Sequence, residues 1–303
     1  MSKPAQFDFI RYLTAKRALD DRSLNQHCWK ELLQRSKPAT GRRPLEILEA
    51  GAGTGSMLMR LVHGGMGADL AYLGVDADPS TVAYGELLLF DWAKENGWEV
   101  ETGREGGVEI QTGKQRIFAR FECAHIFDFA ANTDGKWDLL MAHSFLDLVD
   151  IRASLLALAP LLRADGLLYF TLVFDGVTIL RPAIDPGFDE HVIDCYHRSM
   201  EPPGENALTF KRSETGRALL DRLVQSQTKI LCAGSSDWVV HPPYSPDEVY
   251  FLHHIIHFME DALQGCPDLD PDRLSAWLEA RHAQIQEGQL IYIAHQIDVL
   301  ARN

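Results

Sequence analysis

Apolar positions along the chain keep two spacings, and where one gives way to the other marks the elements. Leu45, Ile47 and Leu48 form a short apolar run of the kind a buried strand needs. The run ends in Gly51-Ala52-Gly53-Thr54-Gly55, after which Met57, Leu58, Leu61 and Val62 recur at helical spacing. Ala71 to Asp76 predicts a second strand, and Asp78-Pro79 supplies an N-cap and a first-turn proline for the next helix. A turn at Arg104 to Gly107 precedes predicted strands at Val108 to Ile110 and Ile117 to Phe121. Trp137 to Met141 and the approach from Leu161 to Phe170 give two more. Residues 45 to 175 thus alternate strand and helix, which implies a mostly parallel sheet with helices on both faces.

The flanks are helical. Residues 7 to 35 predict two amphipathic helices, one carrying Phe9, Leu13 and Leu19, the other Leu24, Cys28 and Leu32. Ser36 to Gly41 is a linker. From Arg181 to Glu205 prolines stand at 182, 186, 202 and 203 around a short helix near His191 to Met200, an insertion that could serve as a lid. Ser213 to Val224 predicts a helix and Lys229 to Cys232 a strand. Ser245-Pro246-Asp247-Glu248 is a helix start with N-cap serine and N3 glutamate, leading into a stripe of Leu252, Ile255, Ile256, Met259 and Leu263. Asp270-Pro271 opens another helix, and Leu290 to His295 predicts the last strand.

Composition narrows the class. With 303 residues, 46% hydrophobic and 24% charged, the chain is ordinary for a globular protein. A net charge of −14 argues against a nucleic-acid partner. No apolar stretch is long enough to cross a bilayer, and the first residues lack the apolar core of a secretion signal. The five cysteines (28, 123, 195, 232 and 266) are scattered and odd in number, which predicts reduced thiols in a cytoplasmic protein, with neither a disulfide framework nor a zinc knuckle. Residues 1 to 43 hold ten Lys or Arg against four acids, either a solvated helical face or a cationic flap near an anionic ligand.

Chemistry concentrates at the glycine turn. Gly51, Gly53 and Gly55 alternate, with Glu49 two residues ahead of the first, whereas a dinucleotide turn is spaced G-x-G-x-x-G and here position 56 is serine. This acid-x-G-x-G-x-G pattern resembles motif I of class I S-adenosylmethionine-dependent methyltransferases. The strand ending in Asp76, the strand Trp137 to Met141 and the leucine-rich approach Leu161 to Phe170 resemble later pieces of the same family, in family order. The resemblance covers roughly residues 45 to 175. It implies an α/β, Rossmann-like methyltransferase sheet, mostly parallel with an antiparallel last strand. An N-terminal helical cap would occupy residues 1–43 and the methyltransferase domain residues 44–303. Inserted helices would follow strands five and six, as lids near 177–210 and 242–288.

The resemblance also implies a cofactor, S-adenosyl-L-methionine, and roles for particular residues. Gly51, Ala52, Gly53 and Gly55 would line its methionine and ribose parts, Glu49 would hold the loop or meet the ammonium group, and Asp76, followed by Ala77, would accept from the ribose hydroxyls. Either Asp128 or His125 would face the adenine amino group, with Ile126 or Phe127 packed on the ring. His143, just past the fourth strand, is a candidate general base or a structural histidine; Phe145 is a cofactor contact or core. The signature Asn/Asp-Pro-Pro-Tyr/Phe is absent from that place. Tyr12, Lys16 and Arg22 are possible cover residues, and Tyr196 and His197 lid residues. His253, His254 and His257 share a helix but do not form H-E-x-x-H, so no metal is expected; a polar pocket wall accounts for them better, and a plain surface position best. The implied partner is a small-molecule methyl acceptor bound by a monomer or homodimer, with no nucleic acid and no membrane. An NAD(P)-dependent oxidoreductase and a non-catalytic S-adenosylmethionine-binding protein are the alternatives.

Overall fold

The computed structural model describes residues 3–4, 6–36, 43–67, 69–103, 106–201 and 211–303. Past Ser36 the expected linker lies outside the described residues, as do Arg104 and Glu105 of the expected turn and Pro202 and Pro203 of the insertion. The chain forms two compact units. The larger comprises Leu24–Val173, Gly216–Ser235 and Ile297–Asn303; the smaller comprises Met1–Ser23, Phe174–Thr215 and Ser236–Gln296. The N-terminal helices are shared out: α1 (Phe9–Ala15) and α2 (Arg17–Ser23) belong to the smaller unit, α3 (Gln26–Arg35) to the larger.

The chain then runs through β1 (Leu45–Ala50), α4 (Ser56–His63), β2 (Leu70–Asp76), α5 (Pro79–Glu95), β3 (Glu99–Thr102), β4 (Val108–Gln111) and β5 (Arg116–Cys123). Next come α6 (Ile126–Asn132), β6 (Trp137–His143), α7 (Ile151–Leu158), β7 (Leu162–Arg181), α8 (Pro186–Ser199), α9 (Thr215–Gln225) and β8 (Lys229–Ser235). It ends with β9 (Trp238–Val240), α10 (Pro246–Leu263), α11 (Pro271–Gln286) and β10 (Ile291–Arg302). The strand order is β3-β4-β5-β2-β1-β6-β7-β10-β8, with β9 paired to β10. The central pairs β5–β2, β2–β1, β1–β6 and β6–β7 are parallel, whereas β10 is antiparallel to β8. This is the expected architecture, with an antiparallel β3–β4 hairpin added at the β5 edge. Two strands exceed their sequence signal: β7 continues to Arg181, and β10 to Arg302.

The register brings the carboxyl ends of the central strands into line, Ala50 beside Val75 and Ala142, and His143 beside Thr171. Ligands of open α/β sheets sit beyond such ends. Beneath them Leu45, Ile47, Tyr72, Leu139 and Tyr169 pack with Met57, Leu58 and Leu61 of α4 and Leu89 and Trp92 of α5. Each such burial stabilises by about 1.5–3 kcal/mol. Asp78 starts α5 as the sequence predicts, its Oδ1 accepting from the N–H groups of Ser80 and Thr81 at 2.7 and 3.2 Å. Buried Asp298 of β10 accepts from the N–H of Leu172, held at φ 51° within β7, and from the N–H of Asn25 ahead of α3, both at 2.8 Å.

One expectation is overturned here. Cys28 of α3 and Cys232 of β8 form a disulfide, with Cα atoms 5.4 Å apart. The two are 204 residues apart in sequence, so only the packing of α3 against β8 brings them together. Cys123, Cys195 and Cys266 are free thiols.

In the smaller unit several basic side chains of the N-terminal helices are held in ion pairs. Arg11 pairs with Asp247, Arg22 with Glu248, and Lys16 with Asp20, whose other oxygen accepts from the Trp238 indole. Tyr12 is buried and stacks on His254, ring centres 4.6 Å apart. A surface position is also overturned for two of the α10 histidines: His253 and His254 are 0% and 3% exposed, while His257 is half-buried. The Nδ1 atoms of His253 and His282 lie 2.8 Å apart, and burial pushes the pKa of His254 down to about 4. His197 of α8 places its Nε2 3.0 Å from the Thr178 hydroxyl.

Candidate functional site

The glycine turn leaves β1 at Ala50 and enters α4. Gly51, Gly53 and Gly55 all take left-handed conformations, with φ of 64°, 53° and 74°, which glycine adopts at no steric cost. The turn is pinned to β2: the N–H groups of Gly51 and Ala52 both donate to the Val75 carbonyl, at 2.9 and 3.1 Å. Two rings close on it. A Cβ added at Gly51 would lie 2.2 Å from Cδ2 of Phe145, and one at Gly55 2.6 Å from Cζ of Phe121. Phe145 therefore lies against the turn, and Phe121 fits among Gly55, Gly74 and Gly85. Sequence reasoning missed Phe121. Its signal was present in the glycines at 74 and 85, which no turn requires and which leave room for a ring.

Asp76, the last residue of β2, is half-buried with both carboxylate oxygens engaged. Oδ2 accepts from the Gly53 N–H at 2.9 Å and Oδ1 from the Asp78 N–H at 3.0 Å. A carboxylate offers about four acceptor positions, so two remain for a pair of ligand hydroxyls. Ala77, next in line, is exposed. The Asp76 carbonyl accepts from the Ala124 N–H at 2.9 Å, which brings the start of α6 alongside. There exposed His125 stacks on half-buried Phe127, ring centres 5.5 Å apart, and Asp128 is exposed in the first helical turn.

Below the turn lies a buried polar chain. Glu49 is 1% exposed and accepts from the Tyr72 hydroxyl at 2.6 Å. Burial pushes its pKa up to about 8, against the opposing pull of Tyr72 and the Arg60 charge. The Tyr72 phenol is itself raised well above its usual range by burial and by Glu49. Gly74 makes this pair possible, since a Cβ there would lie 2.9 Å from the Tyr72 hydroxyl. Arg60 of α4 places Nη1 3.0 Å from the Ser56 hydroxyl and 3.1 Å from Nε2 of His143. Neither Tyr72 nor Arg60 had been singled out from the sequence. Arg60 carried a signal, three residues after Met57 and four after Ser56 on one helix face.

His143 ends β6 and is 8% exposed. A guanidinium can only donate, so Nε2 accepts from Arg60; the proton then sits on Nδ1, which donates to the Thr171 hydroxyl at 2.7 Å. In this arrangement the Nε2 lone pair of His143 faces the Arg60 guanidinium.

Solved structures place this architecture. A candidate type II methyltransferase from Anaeromyxobacter dehalogenans matches at a TM-score of 0.50 and 12% identity, over 92% of this chain and 96% of that one. The chain has a class I methyltransferase fold. The E. coli protein YJHP matches over 97% and 99% of the two chains, at 14% identity and a TM-score of 0.47. A candidate sarcosine dimethylglycine methyltransferase from Galdieria sulphuraria matches over 91% and 84%, at 13% identity and a TM-score of 0.44. No protein-family model and no curated protein matches the chain in sequence. Among the described residues no helix is long and apolar enough to cross a membrane.

Proposed function

We propose that this protein transfers a methyl group from S-adenosylmethionine to a small-molecule acceptor. One observation carries the reading: the Asp76 carboxylate is fixed by the N–H groups of Gly53 and Asp78 beside a turn whose three glycines all take left-handed conformations. The residues fit the cofactor. Asp76 would accept from both ribose hydroxyls, Gly51, Ala52, Gly53, Gly55 and Ala77 would approach it with backbone alone, and Phe127 would lie along the adenine with Asp128 at its amino edge. Glu49, buried against Tyr72, supports the turn from beneath. Bound there, the cofactor supplies an electrophilic methyl carried on a sulfonium, so the chain's part is to align the partners and exclude water. His143 serves as a positioning residue that holds Arg60. The oxidoreductase alternative lacks a glycine where Ser56 begins α4.

Calorimetry tests this directly. S-Adenosylmethionine should bind the purified protein, and Asp76→Ala should weaken binding by about 1–3 kcal/mol, roughly 5- to 150-fold. Absence of binding at millimolar cofactor, or binding of NAD or NADP in its place, would remove the proposal.

A further inference from the structure

The smaller unit brings together three side chains that the methyl-transfer reading does not use. Cys195 faces inward from α8 at 3% exposure; Cys266 and Asp268 lie in the turn joining α10 to α11. The two sulfurs and a carboxylate oxygen all lie within 4.8 Å of one another. Among the described residues no other group of three or more His, Cys, Asp or Glu side chains converges in this way. Both thiols are free. Backbone bonds hold the turn in shape, the Cys266 N–H on the Leu263 carbonyl and the Leu269 N–H on the Cys266 carbonyl. Nε2 of His191, one turn before Cys195 on α8, lies 2.8 Å from the Asp268 carbonyl and fixes the turn against the helix.

A positive group is already drawn to the cluster. Nη2 of Arg198 lies 3.1 Å from the Cys195 sulfur and 2.8 Å from an Asp268 oxygen. The arginine side chain is 60% exposed, so it can turn out into solvent and yield its place.

We infer that Cys195, Cys266 and Asp268 bind one divalent cation of the thiophilic class, zinc, with water in the fourth position. Two sulfurs and one oxygen suit zinc, whereas magnesium and calcium take oxygen alone. Zinc–sulfur and zinc–oxygen bonds of about 2.3 and 2.0–2.2 Å put tetrahedral ligand atoms roughly 3.5–3.8 Å apart, a small closure from the spacing observed. Both thiols lose their protons to solvent as the two zinc–sulfur bonds form, with no change of oxidation state. The ion would join α8 to the α10–α11 turn.

Cobalt(II) is the probe, added to the chelator-treated full-length protein with its Cys28–Cys232 disulfide intact. One equivalent should produce the visible bands of tetrahedral thiolate coordination, and zinc should abolish them. Because two protons leave, affinity should fall about a hundredfold for each unit of pH lowered below the thiol range. Cys266→Ser, at a half-buried position, should weaken binding at least about tenfold, as should Asp268→Ala at an exposed one. Arg198→Ala should bind at least as tightly as the parent. The inference fails if the cobalt bands do not appear, or if they persist unchanged in both Cys266→Ser and Asp268→Ala. It fails equally if native protein carries Cys195 and Cys266 joined to each other.

Discussion

Replacing Glu49 by glutamine removes the titrating proton of a buried side chain while keeping its shape and an acceptor for the Tyr72 hydroxyl. In the folded chain burial raises the Glu49 pKa from an ordinary 4.5 to about 8. Between those values the folded state keeps a proton that the unfolded state has released. Raising the pH through this window therefore favours unfolding; above about pH 8 both states are ionised and the slope disappears. At about 1.4 kcal/mol per tenfold in proton affinity, the gap corresponds to a loss of about 3–5 kcal/mol in the wild type. Glutamine has no such dependence. Urea unfolding of both proteins from pH 4 to pH 9 reads the difference directly, because every other titrating group is shared. The variant should match the wild type near pH 4 and pull ahead progressively up to pH 8. Parallel stability curves across that range would refute the buried, protonated Glu49.

Three further outcomes follow from the same site and its scaffold. His143→Ala removes one acceptor of Arg60 and the ring partner of the Thr171 hydroxyl and should lower stability by about 1–3 kcal/mol. Its pH–rate profile should keep its shape near neutrality; a lost ascending limb would instead mark His143 as the base. Gly51→Ala puts a Cβ into the Phe145 ring at a left-handed position and should reduce both stability and cofactor affinity, by about 1–3 kcal/mol. Adding Phe145→Ala should recover the part due to the clash, and unaltered calorimetric behaviour of the single variant would contradict the tight turn. Cys232→Ser should cost about 2–4 kcal/mol, and a reductant should reproduce that loss in the parent protein. Equal unfolding midpoints with and without reductant would deny the disulfide a stabilising part.

The parts of the fold legible in the sequence are those whose physics is local. The alternating glycines, the apolar runs of β1, β2 and β6, and the caps at Asp78, Ser245 and Asp270 each declare themselves within a few residues. What stayed hidden depends on distant partners. Cys28 and Cys232 meet only once α3 lies on β8, and buried His253 finds His282 only once α11 lies beside α10. Arg60 looks like an ordinary surface charge on an amphipathic helix until β6 places His143 beneath it. The adenine edge has no comparable local signal, since His125 and Asp128 stand within one turn of each other and both are exposed.

Asp298 bears on the order in which the chain can complete itself. Its two oxygens receive the amide that opens α3 and the amide freed by the bend at Leu172, two places that the ribosome releases long before residue 298. Until β10 arrives, a nascent chain holds a helix entrance and a kinked strand whose polar groups await their partner, so cooperative closure of the larger unit waits on the emergence of Asp298.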